Sequence, residues 1–142
     1  MTFHSASSED ASCIVPLQTG EDVVRLRQAL RERVVAIKLS LVEQTKFVTA
    51  ASELGRNVLD YGGGGEAHLS LVERDSKRGI KAVFIDQGPG IADVEKALSD
   101  GYTSGGGMGL GLGGAKRLSD EFHIETEVGK GTKITITKWK SF

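Results

Sequence analysis

The chain has 142 residues, 18 Lys and Arg against 19 Asp and Glu, and a formal net charge of -1. At this length one domain is expected, and 39% hydrophobic with 26% charged residues is an ordinary globular composition. The charge balance excludes nucleic-acid binding driven by bulk charge, the single cysteine excludes a disulfide framework, and no apolar run approaches the roughly 20 residues of a membrane span.

Residues 1–11 read as a flexible N-terminal tail and 12–142 as the folded domain. Met1 to Ser12 is polar and lacks a signal-peptide core, so a cytoplasmic protein is the expectation. Ser12 to Leu17 reads as a first strand, with Pro16 pointing to a sheet edge. Thr19 and Asp22 form a hydroxyl–acid capping pair. Val23, Val24, Leu26, Leu30, Val34 and Ile37 then recur at helical spacing, predicting a helix over Glu21 to Ile37. Ser40 and Glu43 form a second capping box, opening a helix to about Leu59 that the run Gly62 to Gly65 stops. Ala67 to Glu73 and Ile80 to Ile85 read as a strand hairpin around a charged turn, Asp75 to Gly79. Between Asp86 and Met108 only Val94 to Leu98 looks helical. Gly109 to Ser119 reads as a helix, and Phe122 to Val128 and Thr132 to Trp139 as strands joined by Gly129-Lys130-Gly131. Hairpin-paired strands with grouped helices predict the α+β class: a two-layer sandwich whose mixed, mostly antiparallel sheet is covered on one face by helices.

Nineteen glycines make up about 13% of the chain, against a usual ~7%. They cluster at Gly62 to Gly65 and from Gly88 to Gly114, where bare backbone can approach a ligand. Glu53 and Asn57 stand at i and i+4, on one face of the second helix. A carboxylate there can take a proton, and an amide oxygen is a hard ligand for Mg2+; the pair also reads as a solvated polar stripe. Asp86 ends an apolar strand and runs into Gly88 and Gly90. It reads either as a turn or as an acceptor for an exocyclic amine such as that of adenine. Gly105, Gly106, Gly107, Met108, Gly109, Leu110 and Gly111 lead into a helix. Their backbone N–H groups and the helix N-terminus describe a phosphate site better than a surface loop. Thr132 places a hydroxyl beside Asp86 if their strands are neighbours; it is equally a β-branched residue that favours strands.

Other patterns carry less. Gly109, Gly111 and Gly114 match a dinucleotide-binding spacing but lack the strand that must precede it, and no Walker pattern is present. His4, His68 and His123 show no ligand spacing. Cys13 reads as a small buried strand residue. Arg25, Arg27, Arg31 and Arg33 read as a solvated helix face or a docking surface.

In order, Glu53-x-x-x-Asn57, Asp86-x-Gly88-x-Gly90, Gly107-x-Gly109-x-Gly111 and Gly131-Thr132 resemble the four boxes of the GHKL superfamily of histidine kinases, gyrase and MutL. The resemblance spans about residues 12–140 and implies the Bergerat ATP-binding fold. Asp22 to Ala29, Thr49 to Asn57, Asp86 to Ile91 and Lys116 to Phe122 are similar to the RsbT-type serine/threonine kinases, and more distantly to anti-sigma-factor kinases of the RsbW and SpoIIAB type. Tyr61 stands where many superfamily members have a histidine, which favours the RsbT-like group.

The resemblance implies ATP and Mg2+ as cofactors, Asn57 as the Mg2+ ligand and Glu53 as general base. Asp86 would bind the adenine amine, supported by Thr132. Gly88 and Gly90 would make room for base and ribose, and Gly105 to Gly111 would wrap the phosphates within a lid spanning about Ile91 to Met108. The implied activity is a partner-switching stress kinase that phosphorylates a STAS-domain antagonist and then engages the regulatory domain of a PP2C-type phosphatase. Neither nucleic acid nor membrane is implied as a partner. Two readings stay open beside it: an anti-sigma factor that sequesters a sigma factor, and an ATP-binding interaction module that transfers nothing.

Overall fold

The computed structural model describes residues 7–9, 13–99, 103–104, 108–109 and 111–140. Two edge strands come first, β1 (Ser7–Glu9) and β2 (Cys13–Leu17). Helix α1 (Gly20–Ala36) begins at Thr19, whose backbone N–H donates to Asp22 Oδ2 at 3.0 Å. Helix α2 (Leu41–Asp60) begins at Ser40, whose hydroxyl accepts the Glu43 N–H at 3.1 Å. Both starts fall on the hydroxyl–acid pairs, because each supplies acceptors to N–H groups that lack helical partners.

Strands β3 (Gly65–Arg74) and β4 (Lys77–Asp86) follow as a hairpin. Its turn is tighter than expected: only Asp75 and Ser76 lie outside the strands, both at positive φ, 52° and 69°. Paired central residues of that hand match the strand twist. Helix α3 (Val94–Leu98) and the two-residue strands β5 (Thr103–Ser104) and β6 (Met108–Gly109) lead to helix α4 (Leu112–Leu118). Helix α4 starts later than the expected Gly109, because Gly109 pairs with Thr103 and Gly111 sits at φ 69° as the N-cap. That left-handed turn ends any helix running through it. Strands β7 (Glu121–Glu127) and β8 (Gly131–Trp139) close the described chain.

The main sheet runs β1–β3–β4–β8–β7, with β2 also on β3, and every pairing is antiparallel. Within the segment expected as a loose tail, Ser7–Glu9 pair with Val72–Arg74. That pairing covers an edge of β3 that β2 leaves open, which would otherwise present unpaired backbone groups.

Register lines the helix-facing side up in rows. One row is Cys13, Leu69, Ala82, Ile136 and Phe122; the next is Val15, Ala67, Phe84, Ile134 and Ile124. Helices α1 and α2 cover them with Leu26, Leu30, Val34, Phe47, Ala50, Ala51, Leu54 and Val58, all buried in one cluster. Burying each large side chain contributes about 1.5–3 kcal/mol. The arginines of α1 are not simply a solvated face: Arg27 Nε donates to Ser52 Oγ of α2 at 3.0 Å, and Arg25 pairs with Asp22 at 2.6 Å. Among the described residues no helix is long and apolar enough to cross a membrane.

Candidate active site

One register step beyond the apolar rows, the chemistry changes. The third row is Leu17, Gly65, Asp86, Thr132 and Thr126, one residue from each of five neighbouring strands. Alternation along each strand puts these residues on the same face as the core. Asp86 and Thr132 are therefore direct neighbours, as expected if β4 and β8 pair.

Above this row a cavity opens between the sheet and α2. It encloses about 480 Å3 of empty space, counting the part open to solvent, within the usual ligand-pocket range of roughly 300–1,000 Å3. Four of the expected site residues line it: Asn57, Asp86, Gly90 and Thr132. Leu54, Val58, Phe84, Ile91, Leu112 and Ile134 give it apolar walls. Its lining is mostly apolar with a few polar groups among it, the usual make-up of a small-molecule pocket.

The Asp86 carboxylate is held from two sides. Its Oδ1 accepts the Gly88 N–H at 2.8 Å. Gly62 packs against it so closely that a Cβ there would lie 2.5 Å from Asp86 Cγ and 2.7 Å from Oδ2. Gly88 thus serves Asp86 from behind and does not line the cavity. Gly90 lies at its rim, where a Cβ would strike the Glu127 backbone.

Glu53 and Asn57 share a face of α2, but only Asn57 reaches the cavity wall. Glu53 is solvent-exposed one turn earlier and has no hydrogen-bond or ion-pair partner among the described residues. Gly111 stands over it: a Cβ there would lie 2.7 Å from Glu53 Oε2.

Gly105, Gly106, Gly107 and Leu110 lie outside the described residues, and of Met108 and Gly109 only the strand pairing is described. Cys13 is half-buried and free. Among the described residues no group of three or more His, Cys, Asp or Glu could hold a metal ion. Asn57 still fits Mg2+ that arrives on a polyphosphate, since such an ion needs only one or two protein ligands. The lining also fits ATP: Asp86 and Thr132 offer acceptors, and the absence of a side chain on Gly62 leaves room for the Asp86 carboxylate.

Sequence reasoning did not single out Gly62 or Thr126. Gly62 is legible as a helix stop and as one member of a glycine cluster, neither of which points to Asp86 as its neighbour. The Thr126 hydroxyl accepts the Ile91 N–H at 2.9 Å, donates to the Gly131 carbonyl at 3.1 Å and meets Thr132 Oγ1 at 2.9 Å. Thr126 and Thr132 stand symmetrically about Gly129, and that symmetry was the one available signal.

Residues 42–141 match the family model of histidine kinase-, DNA gyrase B- and HSP90-like ATPases. The chain belongs to this family, and an ATPase domain of this kind uses ATP. The serine/threonine-protein kinase RsbT of Bacillus subtilis is 42% identical over 130 residues, 92% of this chain and 97% of that protein. An anti-sigma F factor of Clostridium acetobutylicum is 34% identical over 95 residues, 63% of this chain and 65% of that one. A crystal structure of the RsbU and RsbW domains of a Mycobacterium tuberculosis protein superposes with a TM-score of 0.62 at 21% identity, covering 91% of this chain and 32% of that one. At that identity the likeness speaks for the fold alone. Within the family, the chain belongs to the RsbT-type serine/threonine-protein kinases.

Proposed function

We propose that the chain transfers the γ-phosphoryl group of Mg-ATP to a serine or threonine of a STAS-domain antagonist protein, as a cytoplasmic switch in partner-switching signalling. The observation that carries the reading is the meeting of Asp86, Thr132 and Asn57 in one apolar cavity, with Glu53 exposed one turn before Asn57 on α2. Asp86 accepts a hydrogen bond from the adenine amine, with Thr132 beside it. Asn57 contributes its amide oxygen to Mg2+, which, when bound, neutralises phosphate charge. The glycines from Gly105 to Gly111 offer N–H groups to the phosphates.

Glu53 takes the proton of the acceptor hydroxyl. That oxygen bonds to the γ-phosphorus, the bond to the β-phosphate oxygen breaks, and ADP leaves. Little covalent help is needed, because phosphoryl transfer depends on positioning and charge neutralisation. The product phosphate adds roughly -1.5 to -2 charge at the interface, releasing the antagonist. The freed kinase then engages the regulatory domain of a PP2C-type phosphatase.

The anti-sigma F factor similarity favours a second reading, in which the chain sequesters a sigma factor. A module that binds nucleotide without transfer is disfavoured, since binding alone gives Glu53 no task. Calorimetric titration with ADP and ATP, with and without Mg2+, tests the site. Incubation with labelled ATP and a STAS-domain protein tests the transfer. Mg2+-strengthened binding followed by label on the STAS protein is expected. Binding without label, together with capture of a sigma factor, would turn the conclusion to the second reading; absence of binding would overturn both.

A further inference from the structure

Next to Thr132, just outside the cavity lining, lies a hydroxyl whose hydrogen-bonding capacity is fully used. A threonine hydroxyl has one proton to give and two lone pairs to offer. Thr126 Oγ1 has three partners among the described residues: the Ile91 N–H, the Gly131 carbonyl and Thr132 Oγ1. The Ile91 N–H can only donate, so it takes one lone pair. The Gly131 carbonyl can only accept, so it takes the single proton. Thr132 must then donate to the remaining lone pair. With its proton turned toward Thr126, the buried Thr132 oxygen faces the cavity as an acceptor alone. Asp86, its register neighbour, is also an acceptor there.

We propose that Thr126 is a positioning residue that fixes the direction of the Thr132 hydroxyl and so sets the preference for a 6-amino purine over a 6-oxo purine. The proposal rests on the reading of this cavity as the purine site. An amine donates into the pair of acceptors. A 6-oxo group would face two acceptors, and Thr132 could not turn its proton to meet it. Selectivity of this kind comes from a repulsive element built against the wrong ligand. Thr126 needs no contact with the nucleotide; it acts through Thr132, and through Ile91 it ties the start of the following loop to β7.

The test compares ADP with GDP, by calorimetric titration of the full chain. Thr126→Val keeps shape and strand preference but removes the hydroxyl, so Thr132 is free to rotate and donate. The ADP-over-GDP affinity ratio should fall about tenfold, the worth of one hydrogen bond. Thr126→Ser should hold the wild-type ratio. In a Thr132→Val background, Thr126→Val should leave the ratio where it stands, because the hydroxyl it directs is gone. A wild-type ratio in Thr126→Val would overturn the proposal, as would an equal fall in the Thr132→Val background, which would trace the effect to Ile91 or to the fold. If circular dichroism shows Thr126→Val unfolded, Thr126→Ala takes its place with the same outcomes. Failure of the wild-type chain to bind ADP would sink the purine-site reading itself, a result distinct from an unchanged ratio.

Discussion

Gly62→Ala isolates the steric demand around the Asp86 carboxylate. Gly62 follows the end of α2, where its N–H donates to Asn57 O at 3.1 Å. Its φ lies outside the left-handed region, so backbone strain plays no part in the substitution. The new Cβ would stand 2.5 Å from Asp86 Cγ, 2.6 Å from Cβ and 2.7 Å from Oδ2. Carbon atoms rest at about 3.5–4.0 Å, so the carboxylate must retreat by roughly 1 Å. Retreat breaks its 2.8 Å bond from the Gly88 N–H. Overpacking costs about 1–3 kcal/mol, and the stiffer unfolded chain returns about 0.4–1 kcal/mol. The net loss of stability should stay below about 2.6 kcal/mol, leaving a folded protein to titrate. Moving a charged acceptor off its ligand costs about 1.5–3 kcal/mol, roughly a ten- to hundredfold weakening of ADP binding. Calorimetric titration reads the affinity and a urea melt reads the stability. Asp86→Asn, which removes the charge without the clash, should weaken ADP binding to a similar extent. A folded Gly62→Ala protein that binds ADP as tightly as wild type would refute the assignment of this carboxylate to the nucleotide.

Three further outcomes are expected. Glu53→Ala should bind ATP as wild type does and lose about 10²–10⁴-fold in transfer rate, with stability within about 0.5 kcal/mol because the side chain is exposed; undiminished transfer in a single-turnover assay would remove Glu53 as the base. Asn57→Ala should shrink the strengthening of ATP binding by Mg2+ while leaving Mg2+-free ADP binding close to wild type, and an unchanged Mg2+ effect would assign the ion elsewhere. Asp22 should make stability pH-dependent: the Gln18 N–H at 2.8 Å holds its carboxyl below the ordinary value of 3.8, the Thr19 N–H and Arg25 adding to this while desolvation opposes it. Its contribution is fully present above that ordinary value and is lost as pH falls through the lowered one. Urea melts of wild type and Asp22→Asn should therefore differ most above about pH 5 and converge in strong acid; a gap that is constant with pH would contradict the assignment.

Much of the architecture could be read from contiguous residues. Thr19 with Asp22 and Ser40 with Glu43 mark two helix starts, because a cap acts within one turn. Alternation along 67–73 and 80–85 marks a hairpin whose strands reach somewhat further, Gly65–Arg74 and Lys77–Asp86. The spacing of Glu53 and Asn57, and the glycines after Asp86, could be read as chemistry because each set lies on one short segment. Glycine spacing places the start of α4 too early, at Gly109, because it does not reveal that Gly111 is left-handed and that Met108–Gly109 pair with Thr103–Ser104.

The roles of Gly62 and Thr126 belong to a different level. Gly62 touches Asp86 across 24 positions of sequence only because α2 delivers it to the end of β4, and a helix stop looks the same in any protein. Thr126 gains its meaning from the register that sets Asp86, Thr132 and Thr126 side by side on three strands. The residue types, their local spacing and the family they define are carried by the chain in one dimension, where caps and periodicity act over a few residues. Which atoms meet at the cavity floor, and which way the Thr132 proton points, depends on long-range pairing and packing, which exist only once the sheet has closed over its helices.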